Sequence, residues 1–229
     1  MNIIITGASR GIGKYLAMDL AARGGHKIML ISRNEEKLNE ICARYSDGRL
    51  IPLAFDLERG DYQLLSKMVR GVLPEIHILI NNAGALINKK FGHLTAEDFG
   101  HLMNVNVRSA FLLVKTLLPL FDPNSHIVNI GSMGGYQGSA KFPGLSLYSA
   151  SKGALAILSE CMAEELKDHG ISVNCLALGA AQTEMLAEAF PGYKAPVSAS
   201  DMAAYIADFS LHGHKYYNGK ILPVSLSTP

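Results

Sequence analysis

A chain of 229 residues is long enough for one well-buried α/β domain and short for two. Its 48% hydrophobic and 18% charged residues are those of an ordinary globular protein, and a net charge of +1 argues against nucleic acid or an anionic membrane as partner. Cys42, Cys161 and Cys175 are far apart and set in apolar runs, so they predict buried thiols in a reducing compartment, with no zinc site or redox dithiol.

The chain begins with only a few apolar residues before a glycine-rich stretch, without the basic start, longer apolar run and small-residue cleavage site of a secretory leader. No segment approaches the roughly 20 continuous apolar residues of a membrane span. The densest, Ala110 to Phe121, contains Lys115 and Pro119. The expectation is a cytoplasmic protein with no membrane partner.

Short apolar, β-branched runs predict strands over Asn2–Thr6, Lys27–Ser32, Leu50–Phe55, Ile76–Ile80, His126–Gly131, Ser172–Ala177 and Lys220–Val224. Most are apolar throughout, as strands covered on both faces are. Helical periodicity between them predicts helices over Gly11–Arg23, Glu35–Tyr45, Asp61–Val72, Ala96–Leu120 and Tyr148–His169, with a shorter one inside Ser200–Leu211. The alternation predicts an α/β fold: a doubly wound parallel sheet of about seven strands with helices on both faces, in one domain over residues 1–229. Two Gly- and Pro-containing segments, Gly134–Leu147 and Thr183–Ser200, are expected as loops at the carboxyl edge, where such sheets bind ligands.

The first strand runs into Thr6-Gly7-Ala8-Ser9-Arg10-Gly11-Ile12-Gly13, which then opens a helix. Gly7 suits the tight turn, while Gly11 and Gly13 let backbone approach phosphate and pack helix on strand. The helix N-terminus offers N–H groups to a pyrophosphate. Placed directly after the first strand, this pattern predicts a dinucleotide site. The second strand ends Ile31-Ser32-Arg33-Asn34, without the carboxylate that would accept from the 2′-hydroxyl of an NAD ribose. Arg10 and Arg33 could embrace a 2′-phosphate and Ser32 could hydrogen-bond it, or the arginines are simply solvated. The first reading favours NADP(H) over NAD(H).

Tyr148 and Lys152 are four residues apart and share a helix face. A free phenol titrates near pH ~10, and a nearby ammonium lowers that value. The spacing alone is common on helices; its meaning comes from its surroundings. Thr6–Gly13, Asp56-Leu57, Asn81-Asn82-Ala83-Gly84, Asn104-Val105-Asn106, Ile130-Gly131-Ser132, Tyr148–Lys152 and Asn174–Gly179 occur in one order along nearly the whole chain. In this the chain resembles the short-chain dehydrogenase/reductase family in its compact, single-domain, Rossmann-like form.

The resemblance implies that Tyr148 is the general acid in reduction and the general base in oxidation. Lys152 would bond the nicotinamide ribose and lower the Tyr148 pKa, Ser132 would hydrogen-bond the substrate oxygen, and Asn106 would hold a water that resupplies protons. Asp56 would face the adenine amino group, with Leu57 beside it. Asn82, Ala83 and Gly84 would lie beneath the adenosine, and Gly179 and Thr183 beside the carboxamide. Each also has a plainer reading: Ser132 as a turn cap, Asn106 as a helix cap or interruption, Asp56 as a helix N-cap.

Three departures from the family pattern fall outside the chemical residues. The Ser132–Tyr148 interval is longer by extra sequence in Gln137–Leu147. Leu178-Gly179 stands where Pro-Gly is usual, which should loosen the backbone there. The end, Leu222–Pro229, lacks a glycine-rich finish. No metal is expected, since His212-x-His214 lacks a third ligand, and neither a Gly-x-Ser-x-Gly elbow nor a Gly-Lys-Ser/Thr phosphate loop is present. Apolar residues wrap more than one side of Tyr148–His169 and of Ala110–Leu120, which predicts a homodimer or homotetramer through these helices. The expected function is hydride transfer between NADP(H) and a small-molecule carbonyl or alcohol; the alternative is a catalytically silent dinucleotide-binding sensor of the same fold.

Overall fold

The computed structural model describes residues 1–45 and 47–226. Its first three strands, β1 (Asn2–Thr6), β2 (Lys27–Ser32) and β3 (Leu50–Ala54), alternate with α1 (Gly11–Arg23) and α2 (Glu35–Cys42). The helix α3 (Tyr62–Arg70) leads to β4 (Ile76–Asn81), then to α4 (Ala96–Met103), α5 (Ser109–Leu117) and β5 (Phe121–Ile130). The long α6 (Ser146–Leu166) precedes β6 (Ser172–Leu178). A two-residue strand β7 (Ala181–Gln182), α7 (Glu184–Ala189), β8 (Val197–Ser198), α8 (Ala199–His212) and β9 (Ile221–Val224) complete it.

Seven strands form one sheet in the order β3-β2-β1-β4-β5-β6-β9, and every pairing is parallel. Continuously apolar strands force this outcome, since both faces must be covered and parallel connections carry the helices that cover them. Successive residues of a strand point to opposite faces. Ile3, Ile5, Ile28 and Leu30 therefore pack with α1, α2 and α8, whereas Ile4, Met29, Ile31 and Leu79 pack with α3, α5 and α6. The chain builds outward from β1 to β3 and then returns to β4, so the crevice at the carboxyl ends opens between β1 and β4.

Several boundaries differ from the sequence expectation, each for a physical reason. The expected helix over Ala96–Leu120 is split by a wide π-helical turn at Asn104–Arg108, where the Ser109 N–H reaches the Asn104 carbonyl. Strand β5 begins at Phe121, before the expected His126, because Pro123 and the left-handed Asn124 (φ 77°) disguise its first half. The segment Thr183–Ser200 is not a plain loop: it contains α7, capped by the Thr183 hydroxyl accepting from the Leu186 N–H at 3.2 Å, and β8, which pairs with β7. Where the sequence has Leu178 in place of proline, the chain stays within the sheet. Leu178 is buried and pairs with Val224, and the Gly179 N–H donates to the Val224 carbonyl at 2.9 Å. Of the unusual C-terminal run, Ser227–Pro229 lie outside the described residues.

Midway along β5, His126 is buried against α8. Its Nδ1 lies 2.9 Å from the Ser210 carbonyl and so must carry the proton, leaving Nε2 to accept from the Asn174 amide at 3.1 Å. This arrangement accommodates only the neutral ring, and burial pushes the pKa down to about 4. An imidazole lowered in the folded state contributes stability that is full above its ordinary pKa near 6.5 and is lost as pH falls from there toward 4. Chemical denaturation between pH 7 and pH 4 should therefore register a loss of up to about 3 kcal/mol from this group. His126→Gln should flatten that slope; an unchanged slope in the variant would assign it to other groups.

Candidate active site

The crevice beyond β1 and β4 is a cleft of about 930 Å³. Gly7, Ser9, Arg10, Gly11 and Ile12 line it from the first turn, Ser32 and Arg33 from the end of β2, and Asp56 and Leu57 from the exit of β3. Asn82, Ala83 and Gly84 enter after β4, Ser132 after β5, Tyr148 and Lys152 from α6, and Gly179 and Thr183 after β6. Two expected residues do not line it. Gly13 and Asn106 are buried behind the wall, where they shape it.

The glycine-rich turn is held by close backbone packing. Gly7 adopts φ 67° and its N–H donates to the Ile31 carbonyl at 2.8 Å. A Cβ on Gly13 would lie 2.3 Å from the Gly7 carbonyl oxygen and 2.5 Å from Asn82 Nδ2. Asn82 spends its side chain on the turn, donating to the carbonyls of Thr6 and Gly7 at 3.0 and 3.3 Å. Thr6 Oγ1 accepts from the Ala83 N–H at 3.0 Å. No side chain caps the first turn of α1, so its N–H groups serve the cleft.

Arg10, Arg33 and Lys37 bring three cations to the rim beyond β2. Ser32 Oγ accepts from the Asn34 N–H at 3.1 Å, and Asn34 in turn caps α2. Arg10 is not simply solvated: its guanidinium is paired with Glu188 of α7. On the adjoining wall, Asp56 is not the helix N-cap that Asp61 is; its Oδ1 accepts from the Glu58 N–H at 2.8 Å. Glu58 lies 3.0 Å from His101 of α4, and both line the cleft. Lys37, Glu58, His101 and Glu188 escaped sequence reasoning; only Lys37 carried a signal, three residues after a capping Asn.

At the other end of the cleft, Ser132 leaves β5 and enters a tight turn at Met133–Gly135, its Oγ accepting from the Gly134 N–H at 3.2 Å. Gly135 abuts α6 so closely that a Cβ there would lie 2.5 Å from the Lys152 carbonyl carbon. Burial raises the Tyr148 phenol above its ordinary value, and a hydrogen bond with the Ser132 hydroxyl pulls the other way. The lowering expected from Lys152 is therefore not the net outcome. Its ammonium lies 6.0 Å from the Tyr148 ring centre and donates to the Ile130 carbonyl at 2.7 Å. Lys152 is 4% exposed, and desolvation pushes its pKa down to about 8.

Asn106 occupies the wide turn between α4 and α5. Its Oδ1 accepts from the Ala85 N–H at 2.8 Å, and its Nδ2 donates to the Ala85 carbonyl and to Ser151 Oγ, both at 2.9 Å. The side chain is thus engaged in tying the β4 exit to α6, a positioning role; the expected water would have to be held by other atoms.

A family model described as short chain dehydrogenase matches residues 1–194. The chain belongs to the short-chain dehydrogenase family. Ketoacyl reductase HetN of a Nostoc species is 33% identical over 184 residues, 78% of this chain and 62% of that protein. An NADPH-dependent pterin aldehyde reductase of Arabidopsis thaliana is 32% identical over 204 residues, 85% of this chain and 82% of that protein. The crystal structure of a 3-ketoacyl-(acyl-carrier-protein) reductase from Brucella melitensis complexed with NADH superposes with a TM-score of 0.87 at 25% identity, covering 98% of this chain and 96% of that one. Membership makes this dehydrogenase an NAD(P)-dependent oxidoreductase.

The residues present fit a nicotinamide dinucleotide. The turn is a cradle that a side chain at Gly13 would fill, the α1 N-terminus is uncapped, and the cleft is as large as ligand sites of roughly 300–1,000 Å³ become. Gly13→Ala should break the contact among Gly7, Asn82 and α1, weakening dinucleotide binding at least tenfold by fluorescence titration. Binding at wild-type strength would show that the turn tolerates the displacement.

Proposed function

We propose that this dehydrogenase reduces the carbonyl of a small molecule with NADPH. The observation that carries the reading is the division of the cleft. Ser132, Tyr148 and Lys152 converge at one end, while Arg10, Arg33 and Lys37 gather at the other. Two arginines and a lysine suit a 2′-phosphate, whereas an NAD ribose calls for a carboxylate there. The bound cofactor supplies the hydride. Ser132 and Tyr148 then share the substrate oxygen: Ser132 steadies its developing charge, and Tyr148 delivers its proton. Lys152 holds the nicotinamide ribose and favours the phenolate left behind. Asp56, Leu57, Ala83 and Gly84 line the adenosine side; Gly179 and Thr183 flank the nicotinamide.

The relatives' names support reduction of ketone or aldehyde carbonyls, and one of them specifies NADPH. A silent sensor would need only the dinucleotide seat. It would have no use for a buried lysine one turn from a half-buried tyrosine, so turnover is the better reading. We further propose a cytoplasmic enzyme with one catalytic domain, since both core layers share one sheet. Phe111 of α5 and Ile157 of α6 are 42% and 58% exposed, which supports a homodimer or homotetramer formed across these helices.

Tyr148→Phe should remove the proton donor and lower kcat by at least a hundredfold while NADPH binding changes less than about threefold; undiminished turnover would sink the mechanism. The pH profile has a definite sign. Lys152 is charged below about pH 8 and neutral above, while the raised phenol stays protonated, so kcat/KM for reduction should decline above pH 8. Thermal melts report the cofactor independently, because ligand binding to the native state raises Tm by mass action. NADPH should raise it more than NADH at equal concentration, and the reverse order would overturn the cofactor reading.

A further inference from the structure

The two catalytic-cleft arginines do not face open solvent alike. Arg10 grips Glu188 in a forked geometry, Nη1 to Oε1 at 2.6 Å and Nη2 to Oε2 at 3.4 Å. A guanidinium fork presents the same donors to a carboxylate and to two phosphate oxygens. Beside this pair lies a hollow of about 340 Å³, lined by Arg10, Arg33, Asn88 and Glu188 among others, so the carboxylate shares one small space with both arginines. The rest of α7 leans the same way. A Cβ built on Gly11 would lie 3.5 Å from Glu184 Oε2, which puts a second carboxylate beside the turn whose N–H groups attract pyrophosphate. No residue of α7 is buried, so packing alone does not dictate this placement. Its C-terminal end is moored instead by Asn88, whose Nδ2 donates to the Ala189 carbonyl at 2.9 Å.

We infer that Glu188 is a specificity-determining residue that competes, from within the chain, with the cofactor's 2′-phosphate for Arg10. The inference rests on the NADP(H) reading above. Bringing a 2′-phosphate to Arg10 requires exchange of one anion for another, whereas NADH leaves the Arg10–Glu188 pair intact. Glu188 therefore narrows the preference for NADPH over NADH that Arg10 and Arg33 create. Both partners are largely exposed, with 44% and 61% of their side-chain surface accessible, and such pairs are weak. The expected effect is accordingly a modest one, about two- to fivefold in affinity.

The test is calorimetric titration of the whole chain with NADPH, NADH, adenosine 2′,5′-bisphosphate and ADP, at low salt. Glu188→Gln should tighten NADPH and the 2′,5′-bisphosphate by about two- to fivefold and leave NADH and ADP unchanged, with the gain shrinking as salt rises. Unchanged binding of all four, or equal tightening of NADPH and NADH, would overturn the inference. Arg10→Met separates this from the underlying reading. If wild type prefers 2′-phosphorylated ligands and Arg10→Met reduces that preference while Glu188→Gln does not alter it, only the role of Glu188 fails. If wild type shows no preference for the 2′-phosphate, the NADP(H) reading itself fails.

Discussion

Burial of the Lys152 ammonium is the constraint on which the rest of the site depends. A charge withdrawn from water must be met by dipoles or give up its proton. Here it is 4% exposed, and the Ile130 carbonyl at the end of β5 meets it at 2.7 Å. Two glycines make the location attainable. Gly84 places no side chain where Lys152 Nζ and Asn106 Oδ1 both approach to 3.3 Å, and Gly135 lets the turn after Ser132 abut the α6 backbone. A side chain at Gly135 would collide with the α6 backbone, and one at Gly84 would press on the ends of the Lys152 and Asn106 side chains. Desolvation nevertheless pulls its pKa down to about 8, so the group remains a cation at neutral pH.

Around that cation the polar contacts form a frame that a purely apolar core would lack. Asn106 joins the β4 exit to α6 through Ala85 and Ser151. Deeper in the sheet, Asn81 Nδ2 donates to Asn129 Oδ1 and Asn129 Nδ2 to Ser159 Oγ, both at 2.8 Å, linking β4, β5 and α6 in one buried chain. Apolar packing is non-directional and tolerates small slides of a helix on a sheet. Hydrogen bonds between fixed donors and acceptors do not, because each buried group left unmatched costs on the order of 1–3 kcal/mol. The position of Tyr148 relative to Ser132 is therefore set by two bonded ladders, not by helix packing alone.

Much of this was legible in the amino-acid order because a parallel sheet delivers its functional residues locally. Gly7, Asp56, Asn82, Ser132 and Gly179 each follow the end of a strand and Ser32 ends one, so finding the strands finds the cleft. The β1, α1 and β2 boundaries coincide with the expectation because the two strands are buried nearly throughout and α1 buries one face. What escaped lacks that signature. Helix α7 buries none of its residues and has no apolar stripe to read. Arg10 and Glu188 are 178 positions apart, and no local pattern announces their pairing. Gly13 and Asn106 resembled cleft residues in sequence, yet close packing and a completed set of hydrogen bonds put them behind the wall.

The Ser132–Tyr148 interval joins two residues that are held independently of it. Ser132 is fixed by β5 and by the packing of Gly135 on α6, and Tyr148 by α6 itself, so extra residues between them need not alter their distance. The insertion loops outward and is tied down where the Lys89 N–H donates to the Gly144 carbonyl at 2.9 Å. It contributes Phe142 and Leu145 to the cleft, which Leu186 of α7 and Phe190 just after it also line. Part of that lining thus comes from a segment outside Ser132, Tyr148 and Lys152. Another part comes from the same short helix that pairs Glu188 with Arg10. On the proposed reading, changes in that segment bear on the substrate end, whereas changes in α7 bear on both ends of the cleft, because its six residues include Leu186 and Glu188.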